Sequence, residues 1–434
     1  MSFDEIDEEY VEHDLPFEEE KDDLGPAYGR PVPFGGIPRQ FKPWHRPRKQ
    51  YVRRKQWVSS FADLLNELCR RDSDRRDASY IGLPGSDLLD VRLFAEECAA
   101  RALKLRYLGF DRTATGESAE SAYLNLSRDE LSKSGNVHRE SLVMPDEFSQ
   151  LGDVRSLAYT TANRMSFDVV NLDLCGSATN EPAGQDNTIY PALKNVLRVQ
   201  AKREEPWLLL FTATFGKDTQ SNHGQSNAEN LVRALKERLE ECASAEAAAQ
   251  DIFERGEGSG LPELDECDHD GYSKLLVLAF ISWLCSVGRG IRSSRFRVVS
   301  VMNYRVNRYL LAPNMFSLAI RVTPQEPTVR DAAGLLQEPR PVDECEELTQ
   351  HARRMSRVVD ADEALRSNDA LFDAMRAEMA DLLADLRYDR QEYLSSDFSK
   401  LIEDTEAEDA PETQLGSQVS ARRAAGVRTE TGVS

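Results

Sequence analysis

Apolar residues recur with two different spacings between about residues 78 and 322. Short runs rich in β-branched and aromatic residues predict strands, and longer segments with apolar residues every three or four positions predict amphipathic helices. The predicted strands are residues 78–82, 105–110, 141–144, 167–173, 207–214, 296–302 and 315–322. The predicted helices are residues 87–102, 118–132, 154–164, 190–202, 226–255 and 271–287.

This alternation of strands and helices predicts an α/β fold, a Rossmann-like, doubly wound and mostly parallel sheet. The last two predicted strands are joined by residues 303–314, which have no helical pattern. Because parallel strands need a long crossover, such a short connection predicts an antiparallel hairpin at the end of the sheet. The domain that carries this pattern spans residues 59–325.

The segments on either side of the domain lack the alternation. Residues 1–58 contain closely spaced proline and glycine and no hydrophobic period, which predicts an extended arm. Residues 326–403 predict a helical C-terminal extension, and residues 404–434 predict a polar, disordered tail. The apolar stripe of the extension, over residues 369–396, must bury either against the domain or against another chain, a protein partner or a second copy. Its apolar positions are Phe372, Met375, Met379, Leu382 and Leu386.

The formal charge of −21 is unevenly distributed. Residues 1–23 hold twelve acidic residues, whereas residues 39–57 hold eight Lys and Arg, four aromatic residues and no acid. Because cations neutralise phosphates and aromatic rings stack on unpaired bases, the second stretch predicts binding of RNA or single-stranded DNA. Alternatively, it lies on an acidic surface of the protein itself or of a partner. The residues assigned to nucleic acid are Arg39, Lys42, Trp44, Arg46, Arg48, Lys49, Tyr51, Arg53, Arg54, Lys55 and Trp57.

The seven cysteines are scattered and show no CxxC spacing, which argues against a disulfide framework and a zinc site. Cys267 and His269 supply two potential metal ligands with no third nearby in sequence, so no metal site is predicted. The acidic N-terminus does not resemble a signal peptide. The longest apolar run, residues 275–287, is shorter than the ~20 residues that cross a membrane. These features predict a soluble, cytoplasmic protein that does not enter a membrane.

In an open parallel sheet, ligands bind beyond the carboxyl ends of the central strands. The loop after the first strand contains Gly82, Pro84, Gly85 and Ser86, whose backbone can approach a ligand at the start of the next helix. Asp111 follows the second strand and can accept hydrogen bonds from ribose hydroxyls, or else it is a helix N-cap or a surface acid. Asp146 follows the third strand, from which a carboxylate could reach an adenine amino group.

The fourth strand carries the most specific motif. Residues 168–177 read DVVNLDLCGS, and the fifth strand contains LLLFTAT over residues 208–214. These segments resemble the tRNA N2-guanine dimethyltransferases and the related three-Cys-motif partner proteins, which have D-x-D-P-F-G-S followed by G-L-L-x-x-T-x-T-D. The resemblance implies a class I methyltransferase fold, S-adenosylmethionine (SAM) as cofactor near Gly82 and Asp111, and Asp173 facing the base to be methylated.

The chain departs from that motif where the family has Asp-Pro-Phe. It has Asp173-Leu174-Cys175 instead, which removes a rigid turn and an aromatic ring whose stacking on a base is worth ~1–3 kcal/mol. Asp173 can still accept a hydrogen bond from an amine. Cys175 is either a nucleophile, as in cytosine C5 methylation, or a small buried residue. His223, after the fifth strand, is either a substrate contact or general base, or a solvated side chain.

Two functions follow from these patterns. The first is a SAM-dependent methyltransferase that acts on a nucleic-acid base. The second is a catalytically inactive methyltransferase-fold subunit of a nucleic-acid-processing or phage-defence complex, docked through its charged extensions. A nicotinamide-dependent dehydrogenase is disfavoured, because its sheet does not end in the predicted antiparallel hairpin.

Overall fold

The computed structural model describes residues 39–116, 118–182, 184–185, 188–254, 260–306, 310–326 and 342–401. The acidic segment 1–23 and the tail 404–434 lie outside these residues, as does most of the predicted arm. In the described part of the chain, eight strands form one sheet. The strands are β1 (Asp77–Gly82), β2 (Lys104–Phe110), β3 (Leu142–Met144), β4 (Val169–Ser177), β5 (Trp207–Thr214), β6 (Ser294–Tyr304), β7 (Met315–Pro324) and β8 (Val359–Asp360).

Helices pack on both faces of the sheet. The single helix expected over residues 226–255 is two helices, because Cys242 adopts a non-helical backbone with φ −134° and ψ 74°. The helices are α1 (Pro47–Val52), α2 (Ser59–Arg71), α3 (Leu89–Ala99), α4 (Ala119–Lys133), α5 (Leu157–Ala162), α6 (Ile189–Gln200), α7 (Asn222–Glu240), α8 (Ala243–Gln250), α9 (His269–Ile291), α10 (Glu344–Met355), α11 (Ala361–Arg366), α12 (Asp369–Asp385) and α13 (Arg390–Ser395).

The strand order is β3-β2-β1-β4-β5-β7-β6-β8. Strands β1 to β5 are mutually parallel, and β7 runs antiparallel between β5 and β6. This order confirms the predicted doubly wound, Rossmann-like sheet with its antiparallel terminal hairpin. The chain reverses its direction of travel across the sheet between β1 and β4, so the carboxyl ends of these two strands flank the crevice where ligands bind in such folds.

The central strand β5 shows why the sheet is covered on both faces. All eight of its residues are buried, as expected for a strand packed on either side. Leu208 and Leu210 join one core with α2, α3 and α12, whereas Leu209 and Phe211 join the other with α6, α7 and α9. Helix α9 is long and apolar enough to cross a membrane by composition, but 61% of its most apolar window is buried inside the protein. Core packing therefore accounts for its hydrophobicity.

The extended conformation predicted for the arm is wrong for residues 43–58. A 3₁₀ turn at Pro43–His45 leads into α1, a π-helical turn at Arg53–Val58 and then α2, so the chain is helical from Pro47 to Arg71. Pro43 and Pro47 occupy the first positions of these turns. Proline is favoured there because its missing N–H has no intrahelical partner to lose and its φ is already helical. The prolines therefore start helices in this segment.

The apolar stripe of the C-terminal extension is covered by the chain itself. Met375, Met379 and Leu382 on α12 are buried in the same core as Tyr51 and Val52 of α1. The predicted helix over residues 369–396 is divided into α12 and α13, with a break that includes Arg387 at φ +67°. Burial against the domain thus satisfies the stripe, and a partner or second copy at this helix remains a prediction.

A disulfide joins Cys242, before α8, to Cys345 in α10. The expectation that none of the cysteines is bonded is wrong for this pair, which lies 103 residues apart in sequence with a Cα–Cα distance of 5.3 Å. Sequence spacing gives no signal for such a long-range bond, because only the packing of α10 against α8 brings the two side chains together. Cys69, Cys98, Cys175, Cys267 and Cys285 form no disulfide within the described residues.

Replacing His351 in α10 with glutamine is expected to remove a pH-dependent contribution to stability. His351 is buried and bonds through Nε2 to the carbonyl of Phe296 at 2.9 Å. Burial, helped by Arg289 and Arg238, lowers the pKa of His351 from 6.5 to about 4. The unfolded chain therefore takes up a proton between pH 6.5 and 4 before the folded chain does, and stability is lost as the pH falls through this range.

Urea unfolding of both proteins at pH 7.5 and 4.5 tests this expectation. The stability difference between wild type and His351→Gln should shrink by about 2–3 kcal/mol at the lower pH. The matched control is His223→Gln, at an exposed histidine of α7. An equal difference at the two pH values would contradict the expected pKa.

Candidate functional site

Two adjoining cavities open at the carboxyl ends of β1 and β4. The outer cavity has a volume of about 590 Å³ and the inner cavity about 270 Å³. A larger groove of about 920 Å³ lies against α6, α7 and α9, away from these strand ends. The two cavities are therefore the candidate site. They share the lining residues Trp44, Leu83, Gly85, Asp173, Leu174 and Cys175.

The loop after β1 enters both cavities. Gly85 lines both, Ser86 lines the outer cavity and Pro84 the inner one. Gly85 has φ +62°, which favours glycine, and its missing side chain leaves the turn open to the cavities. Gly82 lines neither cavity. A Cβ atom added there would lie 2.4 Å from the carbonyl oxygen of Asn171. Its role is close packing of β1 against β4 rather than ligand contact.

The outer cavity is strongly acidic. Its walls contain six Asp and Glu residues and a single Arg. Asp111 follows β2 and Asp146 follows β3, as the sequence predicts, and both line this cavity. Asp111 also caps a 3₁₀ turn, since its Oδ1 accepts from the backbone N of Thr113 at 2.8 Å and its hydroxyl at 2.7 Å. Capping of the turn uses only Oδ1 of Asp111. The other carboxylate oxygen can therefore still accept a hydrogen bond from a ribose hydroxyl.

The inner cavity has the opposite character. Its walls contain five Arg and Lys residues and three Asp residues, together with three aromatic residues. The aromatic residues are Trp44, Trp57 and Tyr304. Most of the cations come from α1 and the π-helical turn, which lie over the strand ends. π-Helical turns frequently mark functional sites, and here the turn places Arg53 and Trp57 on the cavity wall.

Asp173 lies between the cavities and forms an ion pair with Lys49. The distance from Lys49 Nζ to Asp173 Oδ1 is 2.5 Å, and the same ammonium donates to the Tyr304 hydroxyl at 3.2 Å. It also lies 4.6 Å from the centroid of the Trp57 ring. Burial lowers the pKa of Lys49, but the charge of Asp173, its hydrogen bond to the ammonium and the nearby Tyr304 together outweigh burial, and the net pKa lies above its ordinary value. Lys49 therefore stays charged beside Asp173.

A second buried network supports the floor of the inner cavity. Asp90 on α3 accepts from the Tyr80 hydroxyl at 2.6 Å and from the Asn171 side-chain amide at 2.8 Å. Burial raises the pKa of Asp90 above its ordinary value, and the hydrogen bond from Tyr80 opposes this effect. Sequence reasoning missed Asp90 and Tyr304. The available signal for Asp90 was an acid within the apolar run Leu88–Phe94.

The loop after β1, which contains Gly82 and Gly85, is held in place by residues from the segments on both sides of the 59–325 domain. Asp87, which follows the loop, contacts His45 Nε2 at 3.0 Å and accepts from the Tyr388 hydroxyl at 3.1 Å. All three side chains are buried. Burial lowers the pKa of His45, and the hydrogen bond with Asp87 opposes it. Through Asp87 the N-terminal helical segment and the C-terminal extension therefore both position the loop.

The two other predicted catalytic residues differ in placement. Cys175 is a free, exposed residue that lines both cavities, so its interpretation as a small buried residue is wrong. The residue is exposed on the cavity wall, but neighbouring groups shield its sulfur from part of the solvent. This desolvation and then the charge of Asp173 raise the pKa of Cys175, which disfavours the thiolate that a nucleophile requires. His223 is exposed on the first turn of α7 and lines neither cavity. The structure therefore does not bring His223 to the site.

Much of the basic stretch 39–57 is paired with acids of the protein itself. Lys42 contacts Glu120 at 3.2 Å, Arg54 contacts Glu96 at 3.4 Å, and Arg48 and Lys49 are buried in ion pairs. For these four side chains the structure shows the alternative interpretation, a basic segment on the protein's own acidic residues. Lys55 remains exposed. Nucleic-acid binding by the stretch remains a prediction.

Within the described residues, no group of three or more His, Cys, Asp or Glu side chains is arranged to hold a metal ion. Cys267 and His269 lie at the start of α9, where the His269 ring contacts Asp218 at 3.1 Å.

Three solved structures match part of the chain at low similarity, and all are described as SAM-dependent methyltransferases. A class I enzyme from Listeria monocytogenes matches with 9% identity and a TM-score of 0.29, over 66% of this chain and 62% of its own length. A protein from Clostridium acetobutylicum matches with 11% identity and a TM-score of 0.26, over 63% of this chain and 96% of its own. One from Methanococcus maripaludis matches with 10% identity and a TM-score of 0.23, over 67% and 99%. At these identities and TM-scores, the matches assign no activity, cofactor or substrate to this chain.

No curated protein matches the chain in sequence. The model of one protein family, the PP_RS20740-like family, matches residues 38–398. The matched segment contains the sheet, the helical segment over the strand ends and the extension that holds the loop after β1. The chain belongs to the PP_RS20740-like family.

Proposed function

We propose that the chain binds SAM in the outer cavity and transfers its methyl group to an acceptor in the inner cavity. The observation that carries the proposal is the acid-lined outer cavity at the point where the strand order reverses. SAM carries a sulfonium and an ammonium cation against one carboxylate, so an acidic cavity complements its net positive charge. Its ribose hydroxyls match the carboxylate of Asp111 and its adenine amino group matches that of Asp146.

The arrangement of the two cavities supports the transfer step. Bound SAM supplies an activated methyl group on a sulfonium. Asp173 and Cys175 line both cavities, so an acceptor held in the inner cavity abuts the outer one. Lys49 occupies one oxygen of Asp173 at 2.5 Å, while a carboxylate has about four acceptor positions. Asp173 can therefore accept a hydrogen bond from the acceptor amine and orient its lone pair.

A nucleic-acid base is the acceptor that the motif resemblance suggests. Trp44, Trp57 and Tyr304 give the inner cavity aromatic walls against which a planar ring can stack. Only that resemblance suggests the N2 amine of guanine as the atom that accepts the methyl group.

A non-catalytic subunit is the second candidate function. The Lys49–Asp173 ion pair favours it, because a buried ammonium already occupies part of the carboxylate at the acceptor position. Calorimetric titration with SAM and S-adenosylhomocysteine, followed by tritiated-methyl transfer onto RNA, DNA and small molecules, separates the two candidates. Binding with transfer supports the enzyme, and binding without transfer supports the subunit. Absence of binding to the folded protein would overturn the cofactor proposal.

Replacing Asp111 with alanine is expected to weaken binding of S-adenosylhomocysteine by about tenfold to a hundredfold. A hydrogen bond to a charged group contributes about 1.5–3 kcal/mol, and a ribose offers two hydroxyls. Calorimetry at constant pH and salt measures the change. Asp111→Asn is the matched control for the turn, because its amide oxygen can still accept both bonds from Thr113. Equal affinity of wild type and Asp111→Ala would place the ribose elsewhere.

A further inference from the structure

Two arginines on the wall of the inner cavity retain buried hydrogen-bond donors without partners. Arg48 and Arg53 are only 3% and 4% exposed. Arg48 Nη2 and Arg53 Nε have no hydrogen-bond partner among the residues that the structure describes. A buried donor without a partner is costly, and more so on a charged group. These nitrogens therefore indicate a missing acceptor.

Other bonds hold both guanidinium groups in place. Arg48 Nη1 donates to the carbonyl of Arg305 at 2.6 Å and lies 3.0 Å from the Asp362 carboxylate. Arg53 Nη1 donates to the carbonyl of Trp44 at 3.0 Å. The groups are thus fixed before a ligand arrives, which reduces the entropy lost on binding.

The acids around the cavity are committed to other partners. Asp173 pairs with Lys49, and Asp90 accepts from Tyr80 and Asn171. Asp87 bonds to His45 and Tyr388. Because these carboxylates are engaged, the positive charge of Arg53 has no direct ion-pair partner among the described residues. The cavity therefore favours a ligand that brings negative charge.

The size of the cavity limits the ligand. Its volume of about 270 Å³ lies at the lower end of small-molecule sites, which span about 300–1,000 Å³. This space suits one aromatic ring system with a single charged substituent. A nucleic-acid strand could insert no more than one base, and its phosphates would stay outside the cavity that contains the arginines.

We infer that the inner cavity binds a small planar acceptor that carries an anionic group, a carboxylate or a phosphate, whose charge is neutralised by Arg53 and which also accepts a hydrogen bond from Arg48. The inference rests on the proposed function, because it names the class of acceptor. The ring stacks among Trp44, Trp57 and Tyr304, and the anionic group accepts from the unpartnered nitrogens. In the proposed transfer, the lone pair of an acceptor atom that faces Asp173 forms the bond to the methyl carbon as the carbon–sulfur bond breaks. The sulfur keeps that electron pair in S-adenosylhomocysteine, and the proton of the acceptor atom passes to the Asp173 carboxylate.

Saturation-transfer NMR of the full chain, loaded with S-adenosylhomocysteine, tests the inference with three probes that share one ring. Benzoate and phenyl phosphate carry the two anionic groups, and benzamide is the neutral counterpart. We expect at least one anion to bind about tenfold or more tightly than benzamide. Whichever of benzoate and phenyl phosphate binds better identifies the group as a carboxylate or a phosphate.

Arg53→Gln should weaken binding of the preferred anion by about tenfold or more. Arg54→Gln is the matched control, since it removes the same charge from the next residue, which lies outside the cavity and pairs with Glu96 and Glu378. It should bind the anion as wild type does. If Arg53→Gln does not fold, Cys175→Asp places a negative charge on the cavity wall at an exposed position, with Cys175→Ser as its control. Cys175→Asp should weaken anion binding, and Cys175→Ser should not.

Three results would overturn the inference. In the first, benzamide and both anions bind with equal affinity. In the second, the Arg53→Gln or the Cys175→Asp variant binds the anion as tightly as wild type does. In the third, none of the substitutions in the inner cavity changes the affinity for either anion. A single-stranded 12-mer that binds while the anions do not would instead assign the cavity to a nucleic-acid base. Titration of S-adenosylhomocysteine on the same samples reports separately on the cofactor, so its failure is distinguishable from failure of the anionic acceptor.

Discussion

Methyl transfer is expected to fall by at least about a hundredfold when Asp173 is replaced with alanine, while S-adenosylhomocysteine still binds. Asp173 lies where the two cavities meet and is the carboxylate that both share. In the proposed reaction it orients the acceptor amine, so its loss affects the transfer step more than cofactor affinity. The measurement is the rate of tritiated-methyl transfer to the acceptor found in the screen, together with calorimetry of S-adenosylhomocysteine.

The alanine variant also leaves the Lys49 ammonium buried without its carboxylate, which destabilises a protein by about 3–5 kcal/mol. The double variant Lys49→Met/Asp173→Ala removes both charges and separates this effect from catalysis. We expect the double variant to unfold like wild type and to remain inactive. Wild-type transfer by the double variant would exclude Asp173 from the reaction.

Replacing Asp168 with alanine is expected to destabilise the fold by about 3–5 kcal/mol. Asp168 precedes β4, is 1% exposed and pairs with Arg75 and Arg203, each at 2.5 Å. It also accepts from the backbone N and the hydroxyl of Ser79, at 2.7 and 2.8 Å. Alanine would leave two arginines without their shared carboxylate and would remove both side-chain hydrogen bonds that Asp168 accepts from Ser79. Urea unfolding at pH 7 measures the loss.

The same network predicts a pH dependence. Burial raises the pKa of Asp168, but Arg203 and Arg75 outweigh it and hold the pKa below its ordinary value. Its contribution is therefore complete above the unfolded pKa of about 3.9 and is lost as the pH falls through the lower folded value. The difference between wild type and Asp168→Ala should shrink below pH 4. Asp373→Ala, at an exposed aspartate of α12, should leave the unfolding midpoint unchanged.

The sheet could be predicted from sequence because its strands carry a local signal. All seven predicted strands are present, with bounds close to those in the structure, and the terminal hairpin follows from a short connection. The eighth strand, β8, has two residues and no hydrophobic period of its own. It forms because its backbone pairs with the free edge of β6. A local sequence pattern cannot reveal such a pairing.

The outer cavity was also partly predictable. Gly85, Ser86, Asp111 and Asp146 follow successive strands, and parallel strands bring their carboxyl ends together. The inner cavity was not. Lys49 meets Asp173 across 124 residues of sequence, and the prolines around Lys49 concealed the helix that carries it.

The sequence by itself determined the order of strands and helices along the chain and the edge of the sheet at which the candidate site lies. The reason is that the hydrophobic period and the succession of elements can be read directly from the sequence. Only the tertiary structure decided whether the side chains of the basic stretch are exposed or buried. Burial over the sheet turned Arg48, Lys49 and Arg53 from apparent surface cations into the wall of a cavity, because ion pairs and packing with distant residues stabilise charges that would otherwise remain in water. The disulfide between Cys242 and Cys345 has the same origin, since packing alone brings its two halves together.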